Sequence, residues 1–310
     1  MAVSTTSSAI RSRLSKPRRL DQASGLRAAM NPIPSIRPQV QVIAVSSGKG
    51  GVGKTNVVAN IAVASARQGR KVLVMDADLA LGNVDILLGL TPQYTIEDVL
   101  SGQRRLEDVL VTGPEGIQLL PATSGGQAFT QLTLEQQLML QTAFLELPHT
   151  PDLLLIDCAA GISPNVLYFS VVAHETVVLV SPDPTSLTDA YALIKILSTR
   201  YHLHTFRLLI NKVKNVQESK EVFRKFSLVT DRFLSVSLDY MGCIPSDEYV
   251  TMAVAQQRAV CDLYPRAPAS RALTSLVSTI HDWQRDQAWQ GGFQLFGPSA
   301  LAATRTVTEG

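Results

Sequence analysis

The sequence predicts an α/β protein with a doubly wound, mostly parallel sheet built around a phosphate-binding loop. Three observations predict it. Short β-branched apolar runs alternate with segments of helical periodicity along most of the chain, and strands alternating with helices imply a parallel sheet covered on both faces. Ser47-Gly48-Lys49-Gly50-Gly51-Val52-Gly53-Lys54-Thr55 fits the phosphate-loop pattern G-x-x-x-x-G-K-T. Two later apolar runs end in an aspartate, Asp76 and Asp157, which places acids at the carboxyl ends of strands, where ligands collect in open α/β sheets.

The elements follow in order. Val40, Val42, Ile43, Ala44 and Val45 suit a strand buried on both faces. Beyond the loop, Val57, Val58, Ile61, Ala62 and Ser65 recur at helical spacing until Gly69 stops the run. The glycines therefore sit between a strand and a helix N-terminus. Glycine accepts positive φ and lets amides approach an anion, and the helix end adds unpaired N–H groups with a favourable dipole. Gly48, Lys49, Gly50, Gly51, Val52, Gly53, Lys54, Thr55 and Asn56 are the expected nucleotide contacts. Lys54 is expected at the β- and γ-phosphates of ATP, and the Thr55 hydroxyl on Mg²⁺.

Lys71 to Asp76 reads as a second buried strand, followed by Ala77-Asp78 and Gly82-Asn83. Leu153 to Asp157 reads as a third, whose terminal carboxylate suits Mg²⁺ held through water. The Gly161 loop after it is placed to sense the γ-phosphate. Thr176 to Val180 is a strand, Thr185 to Thr199 a helix, Phe206 to Ile210 a strand ending at Asn211, and Val236 to Ile244 a strand before Pro245. Helices follow from Glu248 and from Ala269 to Trp283.

The doubled lysine in K-G-G-x-G-K-T resembles the deviant Walker A loop of the MinD/ParA ATPases, a family that also includes the nitrogenase iron protein. The resemblance implies that Lys49 reaches across an ATP-dependent homodimer to the partner's nucleotide. It also implies that Asp78 orients the attacking water, with Lys49 and Lys54 as catalytic partners, and that Asp76 supports a metal shell shared with Thr55 and Asp157. Asn211 would read the adenine edge and Pro245 pack on its face. A lone Asn at a strand end is often only a turn former, and Lys49 alone would read as a solvated charge.

Length and composition agree with a nucleotide-binding domain. The chain has 310 residues, 45% of them hydrophobic, enough for one large core with terminal extensions. No apolar run is long enough to span a bilayer, and a net charge of +2 without a basic, aromatic-laced stripe gives no reason to expect direct nucleic-acid contact. Cys158, Cys243 and Cys261 form no C-x-x-C pair, which suggests a reducing, cytoplasmic setting. Cys158 follows a strand and reads as a small buried residue rather than a cluster ligand.

The ends narrow the family further. Residues 1 to 39 form a basic, flexible arm, with Arg11, Arg13, Lys16, Arg18 and Arg19 ahead of any acid. Within it Asp21, Gln22, Ala23, Leu26 and Arg27 resemble the D-Q-A-x-x-L-R activator motif of the FlhG/FleN flagellar regulators. Asp157 to Ser163, Pro182 to Lys195, Thr230 to Gly242 and Ile244 to Asp247 also look like FlhG rather than ParA. Leu20, Ala23 and Leu26 can share one face of a short helix, and a helix that short, with Gly25 inside it, orders mainly against a partner. The resemblance implies that Gln22 enters the active site of an FlhF-type GTPase and stimulates it. It further implies control of flagellar number or placement, with flagellar switch (C-ring) proteins and, in some bacteria, a flagellar transcription activator as partners.

The resemblance covers roughly residues 20 to 283, so the chain divides into the arm (1 to 39), an ATPase domain (40 to 283) and a tail (284 to 310). Such regulators usually end in a basic amphipathic helix that contacts the cytoplasmic face of the inner membrane. Here Trp283, Trp289, Phe293, Leu295 and Phe296 supply apolar bulk, but Gly291, Gly292 and Pro298 interrupt a helix and the charges after Trp283 balance. A peripheral membrane contact and a tail packed on the domain both stay open. Two functional alternatives also stay open: a MinD- or ParA-like positioning ATPase for division or DNA partition, and a regulator that binds ATP without hydrolysing it.

Overall fold

The computed structural model describes residues 40–123 and 131–286. Eight strands form one sheet in the order β3-β4-β2-β5-β1-β6-β7-β8. These are β1 (Gln41–Ser47), β2 (Val72–Ala77), β3 (Val111–Thr112), β4 (Gln118–Leu120), β5 (Leu153–Ala160), β6 (Glu175–Val180), β7 (Thr205–Val213) and β8 (Ser237–Pro245). Every neighbouring pair is parallel except β3 with β4 at one edge. The doubly wound, mostly parallel sheet expected from the alternation is the architecture found.

The helices are α1 (Lys54–Arg67), α2 (Val84–Leu87), α3 (Ile96–Leu100), α4 (Leu106–Val109), α5 (Leu134–Leu145), α6 (Pro164–Val172), α7 (Pro184–Tyr201), α8 (Val216–Phe233), α9 (Glu248–Ala255), α10 (Val260–Leu263) and α11 (Pro268–Asp286). β1, β2 and β6 are buried along their full length, which explains their unbroken apolar runs. Alternate residues face opposite layers. Val42 and Ala44 join a core with Phe169, Leu193, Ile194 and Phe226 of α6, α7 and α8. Ile43 and Val45 join the other, with Val57 and Ile61 of α1 and Leu273, Leu276 and Ile280 of α11. Phe144, Phe169 and Phe206 are among the largest wholly buried side chains, each worth about 1.5–3 kcal/mol over exposure.

Several boundaries differ from the sequence expectation. β5 does not stop at Asp157 but runs to Ala160, so Cys158 lies inside the strand; it is buried, as expected of it. α11 continues to Asp286 rather than ending at Trp283. The long helix α8 is absent from the sequence expectation, although Asn215 caps it through Glu218 N at 2.9 Å and Ser219, Val222, Phe226 and Thr230 form its buried stripe. Among the described residues no helix is long and apolar enough to cross a membrane. The arm residues Asp21, Gln22, Ala23, Leu26 and Arg27, and the tail aromatics Trp289, Phe293 and Phe296, lie outside the described residues.

Candidate nucleotide site

β1 sits between β5 and β6, and the chain leaves it for β2 on the far side of β5. This is where connections diverge and open a crevice at the strand ends. The phosphate loop fills that point. Gly51 and Gly53 have φ of 78° and 95°, a left-handed backbone that glycine adopts without a Cβ clash. Gly53 caps α1 with no side-chain hydrogen bond, and the first turn carries no acidic residue. The helix N–H groups are therefore left for an anion.

Lys54, the first residue of α1, is buried and its Nζ donates to Asp157 Oδ1 at 2.8 Å. Burial alone would lower its pKa; the adjacent Asp157 charge and hydrogen bond outweigh that and hold it above its ordinary value. Thr55, next to Lys54 in the first turn of α1, lines the same cavity as Lys54. Asp157 and Asp76 stand side by side in paired register on β5 and β2, each 1% exposed. Burial first, and the Asp157 charge second, raise Asp76 to about 7 against three backbone hydrogen bonds that pull the other way. Burial likewise raises Asp157 despite Lys54.

Two buried carboxylates beside a hydroxyl form an all-oxygen donor set, the kind that Mg²⁺ takes with its remaining waters. Thr55, Asp157 and Asp76 thus fit the metal role expected of them. Asp76 also organises the backbone around it, because its oxygens accept from Asp78 N (3.1 Å), Asn83 N (2.9 Å) and Val84 N (3.1 Å). It anchors the turn that carries Asp78. Gly82 must be small there, since a Cβ would fall 2.9 Å from Asp76 Oδ2 and 2.4 Å from Ala122 Cβ.

Asp78 shares a cavity of about 540 Å³ with Lys49, Lys54, Thr55 and Asn56. A neighbouring cavity of about 310 Å³ is lined by Gly53, Asn56, Asn211, Lys212 and Pro245. The expected phosphate and base residues thus come together around one loop. Cavities of about 670 and 750 Å³ lie elsewhere, beside α5 and at the start of β2. Neither contains a loop residue or a strand-end aspartate, so chemistry rather than size identifies the site.

Two residues have contacts that the sequence does not suggest. Asn211 Nδ2 donates to the Val52 carbonyl at 2.8 Å, so its amide holds the loop. Lys49 Nζ donates to Asp183 Oδ1 at 3.2 Å and Thr185 Oγ1 at 2.6 Å. Asp183 caps α7 through Ser186 N, and hydrogen bonds from Ser181, Thr185 and Ser186 hold its carboxyl well below the usual range. Both members of the Lys49–Asp183 pair are 42% exposed, and such a pair is worth about 0–1 kcal/mol. Lys49 is parked rather than locked. Sequence reasoning misses Asp183 and Thr185 as partners because a 134-residue separation hides them; only the Asp-Pro start of α7 marks Asp183 in sequence.

Residues 40–225 match a family model described as an AAA domain. The antiactivator FleN of Pseudomonas aeruginosa is 46% identical over 267 residues, covering 86% of this chain and 95% of FleN. The flagellum site-determining protein YlxH of Helicobacter pylori is 29% identical over 248 residues, covering 77% of this chain and 81% of its own length. Among solved structures, the MinC:MinD cell division protein complex of Aquifex aeolicus aligns with a TM-score of 0.63 at 27% identity, over 82% of this chain and 100% of that one. Loop, strand-end aspartates and these likenesses agree, and the chain belongs to the MinD/ParA family of P-loop ATPases, on its FlhG/FleN branch.

Proposed function

We propose that this protein is an ATP-dependent, dimerising switch that controls flagellar number or placement. The observation that carries the reading is the likeness to the antiactivator FleN over 95% of that protein's length. The match to a flagellum site-determining protein supports the same pathway.

In this reading ATP lies with its phosphates against the loop amides and the N-terminus of α1. Lys54 moves its charge from Asp157 to the β- and γ-phosphates, and Thr55, Asp157 and Asp76 hold Mg²⁺. The metal supplies neutralisation of phosphate charge. Asp78 orients a water whose oxygen bonds to the γ-phosphorus as the bond to the β–γ bridging oxygen breaks. ADP keeps that oxygen, and the water's proton ends on the released phosphate. Lys49 leaves Asp183 and Thr185 to contact the nucleotide of a second copy, so ATP favours the homodimer and hydrolysis releases it. Positioning and charge dominate such chemistry.

The output runs through residues 1–39. Asp21, Gln22, Ala23, Leu26 and Arg27 dock on an FlhF-type GTPase, and Gln22 completes its active site. Residues 40–283 are the ATPase domain, and residues 284–310 a tail that touches the inner membrane peripherally. C-ring proteins and a flagellar transcription activator are the further partners, the latter in keeping with FleN being an antiactivator. A peptide of residues 15–35 should accelerate an FlhF-type GTPase, and Gln22→Ala should abolish the effect. An inert wild-type peptide would remove the GTPase from the pathway.

A further inference from the structure

β7 loses its register against β8 between Asn211 and Val213, and Lys212 at the break has a φ of 60°. That backbone is costly for a lysine and free for a glycine. In a regular strand, consecutive side chains point to opposite faces. The left-handed residue breaks that alternation, and both Asn211 and Lys212 reach the phosphate loop. Asn211 Nδ2 donates to Val52 O at 2.8 Å, and Lys212 Nζ donates to Gly51 O at 2.8 Å. The fit is close: a Cβ on Gly53 would fall 2.6 Å from Asn211 Nδ2 and 3.9 Å from Lys212 Cε.

The two grips have a directional effect. A carbonyl and the next residue's N–H share one rigid peptide plane and point opposite ways. Holding Gly51 O therefore aims the Val52 N–H, and holding Val52 O aims the Gly53 N–H. Successive N–H groups aimed inward make the concave nest that binds an anion. Lys212 lies on the cavity beside Pro245, so its grip also ties the base end of the site to the phosphate end.

We propose that Lys212 is a positioning residue for nucleotide binding, which uses its strained backbone to clasp the Gly51 carbonyl and set the loop amides before ATP arrives. The proposal rests on the reading of the loop as an ATP site, and it adds a residue that the phosphate-loop motif does not contain.

The test compares full-length wild type with Lys212→Ala, Lys212→Arg and Lys212→Gly. It reads fluorescent-ADP affinity, hydrogen exchange at the Val52 and Gly53 amides in nucleotide-free protein, and thermal unfolding. The alanine variant should bind about tenfold more weakly, the fold-change of one lost charge-assisted hydrogen bond, and exchange the Val52 amide faster, while the Gly53 amide, aimed by Asn211, should change less. Arginine should restore most of both. Glycine should bind as weakly as alanine yet unfold at a higher temperature, because the backbone strain is gone. Unchanged affinity and exchange would overturn the proposal. Weaker affinity with unchanged exchange would also overturn it, by assigning Lys212 a direct ligand contact. If wild type binds no nucleotide, the ATP reading fails, and the amide exchange still decides the clasp.

Discussion

Alanine substitutions at three glycines of one loop should have sharply different effects. A Cβ on Gly48 would lie 2.1 Å from Asp189 C, 2.3 Å from Asp189 O and 2.5 Å from Ala190 N. All three are backbone atoms of α7, so no side chain can turn away. Relief requires the loop or the helix to move. Overpacking usually costs about 1–3 kcal/mol, and without a flexible neighbour Gly48→Ala should cost about 3 kcal/mol or more. For Gly50 the nearest atom is Ala160 Cβ at 4.0 Å, an ordinary contact, so Gly50→Ala should stay within about 0.5 kcal/mol of wild type. Gly51 has open space around it but a φ of 78°, so Gly51→Ala should lose only the left-handed preference, about 1 kcal/mol. Urea unfolding followed by far-UV circular dichroism would rank the three. Gly48→Ala as stable as Gly50→Ala would refute the claim that this glycine is required by the approach of α7.

Three further outcomes follow from the site and its surroundings. Burial lowers His174 from 6.5 to about 4, and its Nδ1 accepts from Val42 N. The folded state therefore takes up fewer protons in that window, and the stability this gives is present above pH 6.5 and lost as pH falls towards 4. At about 1.4 kcal/mol per pH unit the loss is about 3 kcal/mol. In calorimetry the stability of wild type relative to His174→Gln should therefore rise by about 3 kcal/mol from about pH 4 to pH 6.5; Asp76, which acts in the opposite sense up to about 7, cancels in that difference. Asp157→Asn should cost about 3–5 kcal/mol by leaving the buried Lys54 ammonium without its charge partner, and Lys54→Met with Asp157→Leu should recover much of it in urea unfolding. Asp183→Ala should cost about 1 kcal/mol as a lost helix cap and lower the ATP concentration at which dimers appear in light scattering, because it frees Lys49.

The sheet was legible where strands are buried on both faces. β1, β2, β5 and β6 are continuous apolar runs, and their ends carry Asp76, Asp157 and the glycine loop. Short elements were not legible: β3 has only two residues and β4 three, too few to show a period. The 18-residue helix α8 has a readable cap in Asn215 and Glu218, but its buried stripe includes Ser219 and Thr230, which dilutes the apolar signal. The site divides in the same way. Glycines and strand-end acids announce themselves locally, whereas the Asp183 contact to Lys49 and the Lys212 contact to Gly51 exist only after folding. The strain at Lys212 leaves no local mark, since lysine is not a residue that signals positive φ.

At the centre of the proposed switch is a lysine parked against Asp183 that ATP recruits into a dimer. Light scattering with ATP and Mg²⁺ on wild type, Lys49→Ala and Asp78→Ala tests it most directly. The switch predicts a transient dimer for wild type, a monomer for Lys49→Ala and a long-lived dimer for Asp78→Ala. Asp78→Ala remaining monomeric with bound ATP would contradict it.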